Sequence, residues 1–428
     1  MKQCVIIGGG LAGLSAASIL SSKNINVTLI ESSPKLGGRT YSFIDKETDI
    51  EIDNGQHIMM GCYKETLQFL KLIGAENNFD YQKNLFLKFI DRNKNHFQLN
   101  AASSFYPLNL LKAILNFDVL TSDDKISFIT LLLKLPILRK NSLKKITVSE
   151  WLENENQNPN TIKNFWEILC VGALNTNLNK ASAFVFYEVL MQIFYKGNFA
   201  STIILPKTGM SESIINPASH FLKNNGGEIV LSEMIKEVVI KNQRIVTLKS
   251  ENKVYDNFDF VISAIPLYAL EKIMSKNTLN INLELEYSTI LNIHIWLKEN
   301  NLNEKFYGLL DSTLHWIFVK EKHLNIVISD ANYLTDKSRE EIYDLVIEEL
   351  LQYTSITKSD ILKYKIIKEK RATFIPTIDT VNMRPNIKTL IKNLFLAGDW
   401  TNTGLPSTIE SAVKSGRIAA DFILNESL

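Results

Sequence analysis

The sequence predicts an α/β fold: a mainly parallel sheet built from strand–helix units, with an α+β region inserted into it. Three observations carry that reading. Near the N-terminus, Val5-Ile6-Ile7-Gly8-Gly9-Gly10-Leu11-Ala12-Gly13 is an apolar strand running into G-x-G-x-x-G. Near the C-terminus, Leu394-Phe395-Leu396-Ala397-Gly398-Asp399-Trp400 is a second apolar strand ending in Gly-Asp, and Thr408-Ile409-Glu410-Ser411-Ala412 opens a helix behind it. Between them lie two long stretches, one mainly helical and rich in Phe, Leu and Ile, the other opening with a strand pattern.

Cys4 to Ile7 reads as a buried strand, Leu11 to Leu20 as a helix, and Val27 to Ile30 as the next parallel strand, ending in Glu31. An acid 18 positions after Gly13 is close to the spacing of a dinucleotide fingerprint. Each residue has a task there. Gly8 permits the tight turn, Gly10 lets the backbone approach a pyrophosphate, and Gly13 lets helix and strand meet closely. The helix start offers unpaired N–H groups and roughly half a positive charge to that anion. Glu31 is placed to accept hydrogen bonds from ribose hydroxyls. The glycines interrupt what would otherwise resemble the apolar core of a signal peptide. Gly37-Gly38-Arg39 follows, with two glycines for close passage and a guanidinium for phosphate charge. After a strand at Ile50 to Ile52 comes Asp53-Asn54-Gly55-Gln56-His57, by itself also readable as an ordinary polar turn.

These segments resemble the amine-oxidase/phytoene-desaturase superfamily of FAD enzymes. Within that superfamily, three segments are similar to the hydroxysqualene dehydroxylases, the squalene-associated FAD-dependent desaturases, in particular. They are Asp53–His57 with Gly61 and Tyr63, Trp166-Glu167 with Gly172-Ala173-Leu174-Asn175-Thr176, and Gly398–Thr401 with Gly404–Glu410. The resemblance implies a Rossmann-type FAD-binding domain of the glutathione-reductase-like kind with an inserted substrate domain. It implies that Gly8, Gly10, Leu11, Ala12, Gly13, Glu31, Gly37, Gly38 and Arg39 touch the ADP half of FAD. Val238 would present its backbone to the adenine, and Gly55, Gln56 and His57 would lie along the flavin. Gly398 and Asp399 would reach the ribityl or pyrophosphate oxygens. The helix opening at Thr408, Ile409 and Ala412 would point its N–H groups at the pyrimidine edge. Thr408 stands where amine oxidases place a cage aromatic, and no cysteine follows Cys170, so amine oxidation and a covalent flavin are both disfavoured.

The FAD-binding domain is expected from residues 1–80, 207–272 and 385–428, and the substrate domain from 81–206 and 273–384. Strands are expected at Gly226–Leu231, Glu237–Ile240, Phe260–Pro266 and Ile290–Leu297. With 428 residues and 45% hydrophobic content the chain can hold a large core, and a net charge of +1 gives no reason to expect nucleic acid. Three cysteines without a C-x-x-C pair suit a reducing cytoplasm, and six scattered histidines predict no metal site. No apolar run is long enough to span a bilayer. Ile126 to Leu138, followed by Arg139, Lys140, Lys144 and Lys145, is either a core helix with a solvated charge cluster or a peripheral contact with anionic lipid on the inner face of the cell membrane.

The implied reaction is loss of the allylic hydroxyl of hydroxysqualene as water, with hydride transfer from reduced flavin N5 to the allylic cation, giving squalene for hopanoid or C30 carotenoid synthesis. The departing hydroxyl needs an acid, and His57 is the candidate, a fixed hydrogen-bond partner of the flavin being its other reading. Glu167, Asn175 and Tyr63 are weaker pocket candidates. A carotenoid-type desaturase, running the hydride the other way, is the nearest rival. A flavin-binding assembly partner without turnover is a remoter one. A single dinucleotide motif leaves the electron donor open.

Overall fold

The computed structural model describes residues 2–427. Its organising layer is a five-stranded parallel sheet in the order Glu228–Val230, Asn26–Ile30, Gln3–Ile7, Phe260–Ser263, Leu394–Leu396. Strands from the two ends of the chain thus share one sheet with strands from its middle. The central strand is apolar on both faces because both are covered. Cys4 and Ile6 face the helices Leu11–Ser21 and Ile409–Ser427. Val5 and Ile7 face a small antiparallel sheet of Glu237–Lys241, Arg244–Lys249 and Val254–Tyr255. The two helices cross so closely that a Cβ on Gly416 would sit 2.1 Å from the Ala12 carbonyl oxygen. The strand expected over Phe260–Pro266 stops at Ser263, because Pro266 caps the helix Leu267–Ile273.

A second sheet has seven strands, ordered Ile361–Phe374, Tyr287–Leu297, His323–Ile328, Trp316–Val319, Phe306–Leu309, Phe86–Ile90, His96–Asn100. Its outer face is the aliphatic row of Leu291, Ile293, Ile295, Ile317 and Ile326, covered by the helix Arg339–Tyr353. The stretch 81–206, read as mainly helical, begins with a hairpin of this sheet. Its turn is set by Asp91, whose carboxylate accepts from the amides of Asn93 and Asn95, with Lys94 left-handed. Beyond it the stretch is helical up to the strand Ile203–Pro206, and Ser122–Lys134 opens with a capping box of Thr121 and Asp124. That helix buries Phe128 and Leu131 and, one turn on, Leu135, yet leaves Ile126, Leu133 and Ile137 exposed. Among the described residues no helix is long and apolar enough to cross a membrane.

Candidate functional site

The turn after the central strand is shaped for an anion. Gly8 has φ +109°, and a Cβ there would meet the Ala264 carbonyl oxygen at 2.6 Å. On Gly13 it would meet the Gly8 carbonyl oxygen at 2.0 Å. On Gly10 it would meet nothing nearer than the Gly38 Cα at 4.0 Å, so the space between Gly10 and Gly38 holds no side chain. The helix that starts at Leu11, with Ala12 in its first turn, has no side-chain cap and no acid in that turn, so its N–H groups and dipole are uncompensated. Gly37 donates to the Gly9 carbonyl at 2.9 Å, bringing Gly38 across the gap. Glu31 is fixed at the rim, accepting from the amides of Gly9 at 2.6 Å and Ser33 at 2.8 Å. Val238, half-buried in the small sheet, packs beside the same edge. A pyrophosphate and a ribose fit this arrangement of donors, open space and carboxylate.

Arg39 and Asp399, 360 positions apart, form an ion pair at 2.6 Å. The sequence assigned Arg39 to the phosphates; here its guanidinium is matched by Asp399 and by the Ala372 carbonyl at 2.9 Å. Burial pushes the Asp399 carboxyl up, but Arg39 and the Ser407 hydroxyl outweigh it and hold the carboxyl below its ordinary value. Sequence reasoning missed Arg384. Buried, it donates to the carbonyls of Leu405 and Asp399 at 2.6 Å each, to that of Thr401, and to the Thr403 hydroxyl at 3.0 Å. It fastens the loop that delivers Asp399, and its position before Pro385 gave no signal of that. Gly398 is held by the Ser415 hydroxyl at 2.7 Å. At the next helix start, Thr408 accepts from the Ser411 amide with its hydroxyl and from the Ala412 amide with its carbonyl. The amides of Ile409 and Glu410 are left uncommitted among the described residues, whereas that of Ala412, expected to face the cofactor, is spent inside the helix. Glu410 turns away to cap the helix Lys64–Leu72, accepting from the amides of Glu65 and Thr66 and from the Thr66 hydroxyl.

Asp53–His57 is pinned at nearly every residue. Asp53 accepts from the Ser42 hydroxyl and the Met210 amide; Asn54 exchanges bonds with Tyr41 and donates to the Arg39 carbonyl. The Gln56 amide donates to Asn292 at 3.0 Å, and Asn292 lies over Gly55, where no Cβ intervenes. This is a positioned segment, not a free turn. His57 is half-buried with its Nε2 buried and unpartnered, as is the Gln56 Oε1. Burial is the main cause holding the imidazole below its ordinary value; Arg39 and Lys320 push the same way and Asp53 opposes. Beside it, the inner face of the seven-stranded sheet carries Asn292, His294, Trp296, His323 and Asn325, all buried, each with an unpartnered polar atom. The alternation of Asn292, His294 and Trp296 within an apolar strand was a readable signal of this strip.

A cavity of about 440 Å³ begins at Tyr63 and Thr408 and runs between the sheet and the helices. Its walls are mainly apolar, including Leu87, Phe89, Phe165, Ile168, Ile193 and Trp316. Cys62 also faces it, its thiol pushed up to about 12 by burial and so held protonated. Three expected residues are not in its wall: His57 lies just outside, next to the wall residue Ile58, and two others lie elsewhere. Asn175 ends a helix in the left-handed conformation and bonds Thr373 and the Asp330 amide, and Glu167 is not part of the cavity wall. No group of three metal-ligating side chains occurs among the described residues.

An open glycine cradle, a rim carboxylate and a second helix start beside an apolar cavity define a dinucleotide-dependent oxidoreductase. Residues 11–424 match the model of the flavin containing amine oxidoreductases. The chain is 30% identical, over the full length of both, to a hydroxysqualene dehydroxylase of Zymomonas mobilis subsp. mobilis. It is 24% identical to a 15-cis-phytoene desaturase of Synechococcus elongatus, covering 99% of this chain and 96% of that one. A crystal structure of an oxidoreductase from Methanosarcina mazei superposes with a TM-score of 0.76 at 17% identity, covering 98% of this chain and 100% of that one. The chain belongs to the flavin containing amine oxidoreductase family and, within it, to the hydroxysqualene dehydroxylases; it is an FAD-dependent oxidoreductase.

Proposed function

We propose that this protein removes the hydroxyl of hydroxysqualene reductively to give squalene, and that the observation carrying this reading is the apolar cavity that starts at the flavin-side residues Tyr63 and Thr408. A hydrocarbon chain needs such a lining. Bound and reduced, FAD supplies a hydride. The chain's own residues do the rest. The cavity wall holds the polyprenyl chain and keeps out water that would trap an allylic cation. His57 gives a proton to the departing hydroxyl, which leaves as water, so the alcohol gains one proton and one hydride and loses H2O. Asp53 is the neighbour that favours the protonated ring, against burial, Arg39 and Lys320. Gly8, Gly10, Gly13, Glu31, Gly38 and Asp399 would hold the cofactor non-covalently, with Arg39 acting through its pair with Asp399, and the start of the Ile409–Ser427 helix would offer it N–H groups. A substrate this insoluble also favours a peripheral seat on the membrane near residues 126–145.

The similarity to phytoene desaturases favours one second reading, a carotenoid-type desaturase on the same scaffold. One anaerobic experiment separates the two. The holoenzyme is reduced, hydroxysqualene is added, and flavin absorbance is followed while products are extracted. Flavin reoxidation with squalene formed supports the dehydroxylase. A silent reduced flavin, with oxidised enzyme bleaching on phytoene-like hydrocarbons, replaces it by the desaturase.

A further inference from the structure

Exposed large apolar side chains are unevenly placed on this protein. Among the described residues, seven of the eighteen lie between residues 105 and 137. Phe105 is 72% exposed, and Leu108, Leu111 and Leu115, spaced three and four apart, form the outward stripe of the helix Leu108–Leu115. On the neighbouring helix, Ile126, Leu133 and the following Ile137 are 64%, 71% and 80% exposed, at helical spacings of seven and four. The inward faces of both helices are buried in the core. These are therefore doubly apolar helices, one face spent on folding and the other turned out.

The charge of this segment is one-sided. Residues 105–145 carry seven basic side chains against three acidic ones, a net +4 within a chain of net +1. Lys112, Arg139, Lys144 and Lys145 are exposed and occur in none of the ion pairs among the described residues. The same two helices are fastened to the cavity wall. The Tyr106 hydroxyl donates to the Phe194 carbonyl at 2.9 Å, the Tyr195 hydroxyl donates to the Leu132 carbonyl, and Phe128 meets the cavity-lining Phe165 edge-on with ring centres 4.5 Å apart. Gln192, Ile193 and Phe194 of the helix Ala183–Tyr195, with Lys196 just after it, line the cavity.

We propose that Phe105, Leu108, Leu111, Leu115, Ile126, Leu133 and Ile137 insert into the surface of an anionic bilayer, held by the basic collar, and that the substrate passes from that bilayer into the adjoining cavity without crossing water. The passage rests on the polyprenoid reading above; the docking does not. Apolar side chains with a basic rim are the chemistry of an interfacial contact, and the loss of two leucyl side chains from an apolar phase weakens such binding by about a hundredfold.

The test is sedimentation of the full-length holoenzyme with phosphatidylcholine vesicles, with and without phosphatidylglycerol. The protein is expected to pellet with the anionic vesicles, more weakly at high salt, and to turn over vesicle-borne substrate. The double variant Leu111→Glu, Leu133→Glu, altered only at exposed positions, should stay in the supernatant, keep its flavin, and keep its rate on detergent-dispersed substrate. Lys144→Glu with Lys145→Glu should remove the preference for phosphatidylglycerol. Equal sedimentation of wild type and the leucine variant overturns the proposal, as does no sedimentation of either. A lipid-independent dimer, seen by light scattering and split by the leucine variant, overturns it in favour of a contact between copies. Vesicle binding is read without turnover, so a protein that docks but leaves hydroxysqualene unchanged refutes only the substrate reading and the passage.

Discussion

Replacing Gly10 by alanine and, separately, Gly13 by alanine separates cofactor binding from folding at positions three residues apart. In the protein alone, a Cβ on Gly10 finds no atom nearer than 4.0 Å, and its φ of −76° suits any residue. The Gly10→Ala protein without cofactor should therefore unfold within ~0.5 kcal/mol of wild type. A Cβ on Gly13 overlaps the Gly8 carbonyl oxygen at 2.0 Å, a backbone atom that moves only with the sheet. Gly13→Ala should cost ~3 kcal/mol or more, the upper range for forced overpacking. With FAD present the order changes. If the pyrophosphate approaches the backbone at Gly10, the added methyl group costs 1–3 kcal/mol there, roughly a ten- to hundredfold loss of affinity. Urea unfolding of the cofactor-free proteins gives the first quantity, and titration by quenching of flavin fluorescence gives the second. A Gly10→Ala protein that binds FAD like wild type would refute the placement of the pyrophosphate. One that unfolds early without cofactor would refute the reading of the gap as open space.

His57→Gln should lower the rate of flavin reoxidation by hydroxysqualene at least ~100-fold while FAD content stays normal, the lower range for a lost general acid; full turnover removes the acid role. Glu410→Ala should destabilise the protein by ~2–3 kcal/mol in denaturant, because three donors at the start of the Lys64–Leu72 helix lose their acceptor. His294, His315 and His323 are held by burial at about 3, about 4 and about 4. The unfolded chain therefore takes up protons first, and stability present above pH ~6.5 is lost as pH falls towards ~4, by up to ~3 kcal/mol per ring. His315→Gln, which keeps an acceptor for the Ser329 amide, should flatten that slope between pH 7 and 5; an unchanged slope would count against the burial argument.

Local pattern made the glycine turn legible, since strand, turn, helix and acid all fall within 31 residues. The late Gly398-Asp399 was legible for the same reason, as a strand end followed by a helix start. What the sequence could not show was pairing across distance. That Arg39 closes on Asp399 depends on loops leaving the same end of the parallel sheet from strands with two others between them, and Arg384 acts through carbonyls whose direction only the folded loop fixes. The apolar stretch at 126–138 was ambiguous for a related reason. Composition counts leucines and isoleucines but not which face they occupy, and here Phe128 and Leu131 point in while Ile126 and Leu133 point out.

The inner face of the seven-stranded sheet joins the two halves of the functional argument. The register sets Trp316 opposite Val327, and Val327 opposite Asn292; one row on, Phe318 stands opposite Asn325, and Asn325 opposite His294. Side chains in one row share a face, so a single surface changes from cavity wall at Phe89, Phe306 and Trp316 to buried polar groups at Asn325, His294 and His323. Polar atoms buried in this number are unusual for a core, and each calls for a partner. The strip lies where Asn292 holds the Gln56 amide and where Lys320 acts on His57, beside the segment assigned to the flavin. On the proposed function, an apolar surface that ends in polar groups beside that segment would suit a substrate that is hydrocarbon along its length and carries one hydroxyl.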